Sequence, residues 1–185
     1  TRYIRNARDL AEYVHGDFSY QAFLNAALIA LSFGGGAIDD ASPYKTATKQ
    51  GAFLTFGGPF ILDCVARVAM YALKAAWYQK WNVHRKARPE VFGGVVHNVK
   101  TGASSYSLHS KLLNSPALAD VYSQHGSYLL PQAYAEGSPT HPTFPAGHAV
   151  ISGACVTVLK ACLLESFVIP GAVVASDDGL SQSPY

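Results

Sequence analysis

From about Pro59 to Ala87 the apolar residues recur at helical spacing, and a lysine stands among them. Set Lys80 at zero and advance each residue by about 100°: Leu62, Ala66, Ala69, Leu73 and Ala76 then fall within about 40° of it. Asp63, Arg67, Lys74 and Arg85 fall on another face, at about 100–140°. The pattern predicts one long helix over 59–87 with Lys80 on its buried stripe. His84, Trp77 and Arg88 lie roughly 40°, 60° and 80° round from it, forming a patch at the C-terminal end. Arg88 precedes Pro89, where the helix is expected to stop. A buried Lys and Arg require an anion, because an unpaired buried charge costs several kcal/mol. An internal salt bridge would serve as well as a ligand, and Glu90 is the nearest acid after the patch.

The rest of the chain reads as shorter helices. Ala7–His15, Tyr20–Phe33 and Ala149–Leu164 keep helical spacing, Gly34-Gly35-Gly36 ends the second, and 39–50 is loop-like. Val91–Ser138 reads as loops and short helices, with His97, His109 and His125 lacking metal-ligand spacing. Hydrophobic residues are 49% and charged residues 14%, against about 25% charged in typical soluble domains. That balance excludes a disordered chain. A net charge of +2 leaves no basic excess for neutralising nucleic-acid phosphates. The longest clean apolar run, Ala26–Leu31, is far short of a transmembrane span of about 20 residues. Cys64, Cys155 and Cys162 sit in apolar helical contexts and read as free thiols.

A second constellation lies at 138–148, Ser-Pro-Thr-His-Pro-Thr-Phe-Pro-Ala-Gly-His, running directly into a helix rich in small residues. Three prolines stiffen the loop, and Gly147 permits close backbone approach by a ligand. The first helical turn offers free N–H groups suited to an anion. His148 shares a face with Ile151, Cys155, Leu159 and Cys162 and is expected to point inward; His141 stands on the stiff loop. A buried Lys and Arg, a helix N-terminus and two histidines together describe a site for a tetrahedral oxyanion with acid–base assistance.

These residues carry a family resemblance. The stretches "KWNVHRKARPE" (from Lys80) and "GSPTHPTFPAGHA" (from Gly137) are similar to the two spaced motifs of the vanadium-dependent haloperoxidases, the algal-type bromoperoxidases especially. That family is related to the type 2 phosphatidate phosphatases and bacterial acid phosphatases. The flanks "RDLAEYVH", "LNAALIAL" and "GACVTVLKA" extend the resemblance over nearly the whole chain. It implies an all-α helical bundle, present here as one partial domain over 1–185. It also implies that Lys80 and Arg88 hold vanadate oxygens, that the Gly147 N–H donates another hydrogen bond, and that His148 is the acid–base group. His141 and Trp77 would line the halide pocket. Hydrogen peroxide, halide (bromide foremost, iodide as alternative) and a small organic acceptor would be the reactants, with vanadium remaining +5 as a Lewis acid. The family further suggests an oligomer and an extracellular location. Calcium, which some relatives bind, finds no dense acidic loop here; Asp39-Asp40 and Asp177-Asp178 read as turn or helix-start acids.

Two departures stand out. Ala146 occupies the position where the family carries Ser, removing one hydroxyl from the oxyanion site. The residues after His148 contain no Arg and no His, so the family's third motif, with a second Arg and the axial His, is missing. The chain is therefore expected to be an interior portion of a longer protein. Two alternatives to the haloperoxidase remain: a phosphatase of the same superfamily, or a non-catalytic relative.

Overall fold

The computed structural model describes residues 2–185. It is all-α apart from one hairpin: helices α1 (Ala7–Gly16), α2 (Gln21–Ser32), α3 (Gly58–Tyr78), α4 (Pro89–Lys100), α5 (Ser110–Leu113), α6 (Pro116–His125) and α7 (Gly147–Cys162), then strands β1 (Val173–Ala175) and β2 (Gln182–Pro184). The residues form two compact units, one of 2–76 with 146–185 and one of 77–145. No helix among the described residues is long and apolar enough to cross a membrane.

The first unit is built around α2, most of α3, and α7. Ala27, Val65, Ala69, Ala72, Ile151 and Cys155 form its buried core, flanked by Tyr20, Phe23, Leu62, Leu73 and Leu159. Alanine predominates at these contacts, and small side chains let helix axes approach toward the lower end of about 8–10 Å. A 3-10 turn, Gly34–Ala37, ends α2 at the triple glycine. It is tied to the end of α7 by Leu164 N–H to Ala37 O (2.9 Å) and Asp39 N–H to Cys162 O (3.1 Å). At the N-terminus, Asn6 caps α1 by accepting from the N–H groups of Arg8 and Asp9. The Arg5 guanidinium pairs with Asp9 (2.7 Å) and donates to the Asp177 carbonyl (2.7 Å), fastening the entry of α1 to the turn between β1 and β2. The acidic run at 177–178 is thus a hairpin turn, with Asp178 accepting from Ser176 Oγ and Leu180 N–H. Sequence periodicity did not reveal the three-residue strands on either side.

In the second unit the predicted 59–87 helix is corrected. Regular α-helix stops at Tyr78, a π-helical turn follows over Gln79–His84, and Arg85 adopts left-handed backbone with φ 44°. The π turn closes through Arg85 N–H to Lys80 O at 2.9 Å. Beyond the π turn the 3.6-residue projection no longer applies, so Arg88 is not a helix-end residue. It is the N-cap of α4, with Pro89 in the first turn, where a missing N–H costs nothing. Helix α4 over Pro89–Lys100 is one of the short helices expected within 91–138. Gly93 packs directly on Leu130: a Cβ there would lie 3.0 Å from Leu130 Cγ and 3.2 Å from its backbone N. His97 accepts from Tyr128 N–H (3.3 Å), and His109 caps α5 through Lys111 N–H (3.1 Å).

Candidate oxyanion site

The second unit brings Lys80, Arg88, His141 and Trp77 together. Lys80 lies within the π turn and is 1% exposed, as its place on the apolar stripe predicts. Its ammonium donates to the Pro142 carbonyl (2.6 Å) and lies 3.2 Å from His141 Nδ1. Arg88 Nε donates to the His141 carbonyl (2.7 Å), and its Nη2 lies 2.9 Å from the same Nδ1. The Trp77 and His141 ring centroids are 6.3 Å apart.

This geometry fixes the imidazole's tautomer. Ammonium and guanidinium can only donate. An Nδ1 facing both must therefore present its lone pair, and the ring proton sits on Nε2. The nearby Pro142 carbonyl (3.2 Å from Nδ1) is then served by Lys80 rather than by the ring. Burial lowers the His141 pKa from its usual value, and the charges of Lys80 and Arg88 act the same way against an opposing contribution from Pro142. Lys80 is lowered too, first by burial and then by Arg88.

The salt-bridge alternative for these cations fails on inspection. Neither Lys80 nor Arg88 pairs with a carboxylate among the described residues. Glu90 instead accepts from Ser138 Oγ (2.8 Å) and Ser138 N–H (3.2 Å). Its carboxyl is held below the usual range by its own backbone N–H and by Ser138, with Arg88 contributing. The hydrogen-bond partners of the two cations are neutral carbonyls and a neutral imidazole, so a buried ammonium and a partly buried guanidinium stand together with no carboxylate bonded to either. That donor set fits a multiply charged oxyanion such as vanadate or phosphate.

Gly147 and His148 lie in the first unit, at the start of α7. Ala146 is the N-cap, extended at φ −69°, ψ 123°, and makes no side-chain cap bond. A Cβ at Gly147 would meet nothing nearer than Leu73 Cδ1 at 4.0 Å, so packing within the unit does not demand glycine there. His148 does not point into the core as expected. Its side chain is 49% exposed because α7 buries Ile151 and Cys155, and the first turn projects beyond that packing. His148 Nε2 donates to Asp17 Oδ1 at 3.0 Å, and the Asp17 side chain is only 4% exposed. That bond places the free lone pair on Nδ1. Sequence reading missed Asp17: it is 131 residues from His148, and its only local mark is its place just after α1. No group of three or more His, Cys, Asp or Glu suited to a metal ion occurs among the described residues.

Fold and site define a mainly helical chain in which a buried lysine and a partly buried arginine converge in a cradle suited to an oxyanion. Known proteins make the assignment sharper. The chain is 40% identical over 190 residues to the vanadium-dependent bromoperoxidase of Corallina officinalis, covering 91% of this chain and 32% of that protein. It is 41% identical over 182 residues to the Corallina pilulifera enzyme of the same name (86% and 30%), and 37% identical over 194 residues to that of Ascophyllum nodosum (97% and 34%). No family model matches the chain. The resemblance to the vanadium-dependent haloperoxidases carried by the two motifs thus holds along nearly the whole chain, and the all-α class agrees with it. The chain spans about a third of the length of the curated relatives it matches.

Proposed function

We propose that this chain supplies part of the active site of a vanadate-dependent haloperoxidase, which converts hydrogen peroxide, halide and a proton to hypohalous acid and water. Bromide is the favoured halide, as in the names of the relatives. The observation that carries the reading is Lys80, 1% exposed, beside Arg88 and without a carboxylate. When bound, vanadate supplies Lewis acidity that makes peroxide oxygen electrophilic.

The residues have separable tasks. Lys80 and Arg88 bind and orient the oxyanion through charge-assisted hydrogen bonds, and Lys80 stabilises negative charge leaving the peroxide oxygen. The Gly147 N–H, at the start of α7, is proposed as a further oxyanion donor. His148 takes and returns a proton at Nδ1, with Asp17 holding the ring through Nε2. Neutral His141 and Trp77 flank the halide approach.

The test is bromide-dependent bromination of a phenol-type dye by the intact protein, with hydrogen peroxide, with and without orthovanadate. Activity that requires orthovanadate and is suppressed by phosphate is expected. No activity in protein that demonstrably retains vanadium refutes the reading. Phosphate-ester hydrolysis without peroxide would transfer the site to the phosphatases.

A further inference from the structure

Beside the cradle, the second unit contains a cavity of about 420 Å3, within the range of small-molecule sites, about 300–1,000 Å3. Its lining includes Trp81, Arg85, Lys86, Arg88, Glu90 and His141. Arg88 and His141 belong to the cradle as well, so the cavity adjoins it. The charges around this cavity are unbalanced. The single carboxylate, Glu90, is committed to Ser138, and Arg88 to His141. Arg85 has no carboxylate partner among the described residues, and the Lys86 ammonium lies over the Phe144 ring, 5.3 Å from its centroid.

Arg85 is the informative residue. Its φ of 44° lies in the region that favours glycine, or asparagine among residues with a side chain. Backbone geometry therefore argues against arginine here, and the guanidinium is what the position gains in return. Trp81, 47% exposed, adds a flat aromatic wall to the same cavity.

We propose that this cavity binds the organic acceptor and selects planar aromatic molecules carrying an anionic group. The ring lies against Trp81, and the anion engages Arg85 and Lys86. The proposal rests on the haloperoxidase reading for its chemistry. Hypohalous acid delivers its halogen to a ring carbon, the O–halogen bond breaks, and the displaced ring proton leaves with hydroxide as water.

The test is calorimetric binding of 4-hydroxybenzoate and its neutral analogue 4-hydroxybenzamide to the intact protein, with and without saturating orthovanadate. The carboxylate is expected to bind about tenfold or more tightly than the amide, the effect of one charge-assisted contact. Arg85→Gln, at an exposed position, is expected to abolish that preference, and Trp81→Leu to weaken both ligands. Equal affinity for the two ligands, a preference surviving Arg85→Gln, or displacement of the carboxylate by orthovanadate overturns the proposal. Halide oxidation, followed separately without an organic acceptor, distinguishes the two readings. Its presence without carboxylate selectivity overturns the acceptor site alone. Its absence with selectivity intact removes the haloperoxidase reading and retains the aromatic-anion site.

Discussion

Ala146→Ser separates a structural effect from a functional one at a single atom. Ala146 is the N-cap of the sixteen-residue helix α7, its carbonyl already accepts from Val150 N–H (3.1 Å), and no side chain serves the N–H groups of the first turn. The backbone there is extended and the residue is exposed, so a serine hydroxyl can enter without displacing a neighbour. It would accept from the second or third N–H of the helix, an exchange worth about 1 kcal/mol, range about 0.5–2. For a chain of this size that corresponds to a rise of about 2–4 °C in Tm. The same hydroxyl keeps its proton free to donate, because it offers one donor and two acceptor sites. If α7 begins at the vanadate position, that proton adds a charge-assisted bond of about 1.5–3 kcal/mol, or at least tenfold in vanadate affinity.

Two measurements check this: thermal unfolding without oxyanion, and orthovanadate titration by calorimetry. A higher Tm together with tighter vanadate binding is expected. An unchanged or lower Tm refutes the capping argument, since nothing else in the first turn would then be short of an acceptor. A higher Tm with unchanged vanadate affinity refutes the placement of the oxyanion at the start of α7 and leaves the helix geometry intact.

Four further outcomes follow. Lys80→Met, which replaces a buried cation lacking a carboxylate, is expected to raise stability without oxyanion by about 1 kcal/mol and to abolish vanadate binding; destabilisation on denaturant titration would show that the ammonium is already compensated. Gly147→Ala is expected to leave stability within about 0.5 kcal/mol, because the added Cβ meets only Leu73 at 4.0 Å, while weakening vanadate binding; equal loss of both would point to packing. Gly93→Ala is expected to cost about 1–3 kcal/mol in urea unfolding, because backbone N and Cγ of Leu130 stand 3.2 and 3.0 Å from the new atom. The lowered pKa of His141 makes the unfolded chain bind more protons as pH falls below 6.5, so stability is full above that value and is lost toward the lowered folded pKa; the part of the acid-induced fall in Tm that His141→Gln removes measures this, and an identical pH profile in the variant refutes it.

What could be read in the sequence was whatever a short window encodes. Lys80 on an apolar stripe predicted a buried cation, and it is buried, because residues 58–78 keep a 3.6-residue period up to its doorstep. The stiff loop before α7 predicted a helix start with free N–H groups, and Ala146 stands at the N-cap with no side-chain cap bond. The failures arise where the local period changes, where packing stops short of a helix end, or where the deciding partner is remote. A π turn is one inserted residue's worth of slack and leaves no periodic mark, so Arg85 and Arg88 were projected onto a helix that had already ended. His148 was projected inward by its spacing to Ile151 and Cys155, but a face says nothing about how far along a helix the packing extends. Asp17 and Pro142 act through contacts 131 and 62 residues away, beyond any window. The two misread stretches are also where the candidate chemistry lies. The unusual backbone that hides the site from periodicity sets Lys80 and Arg88 on the same imidazole nitrogen, a convergence that an unbroken α-helix running to residue 88 would not have produced.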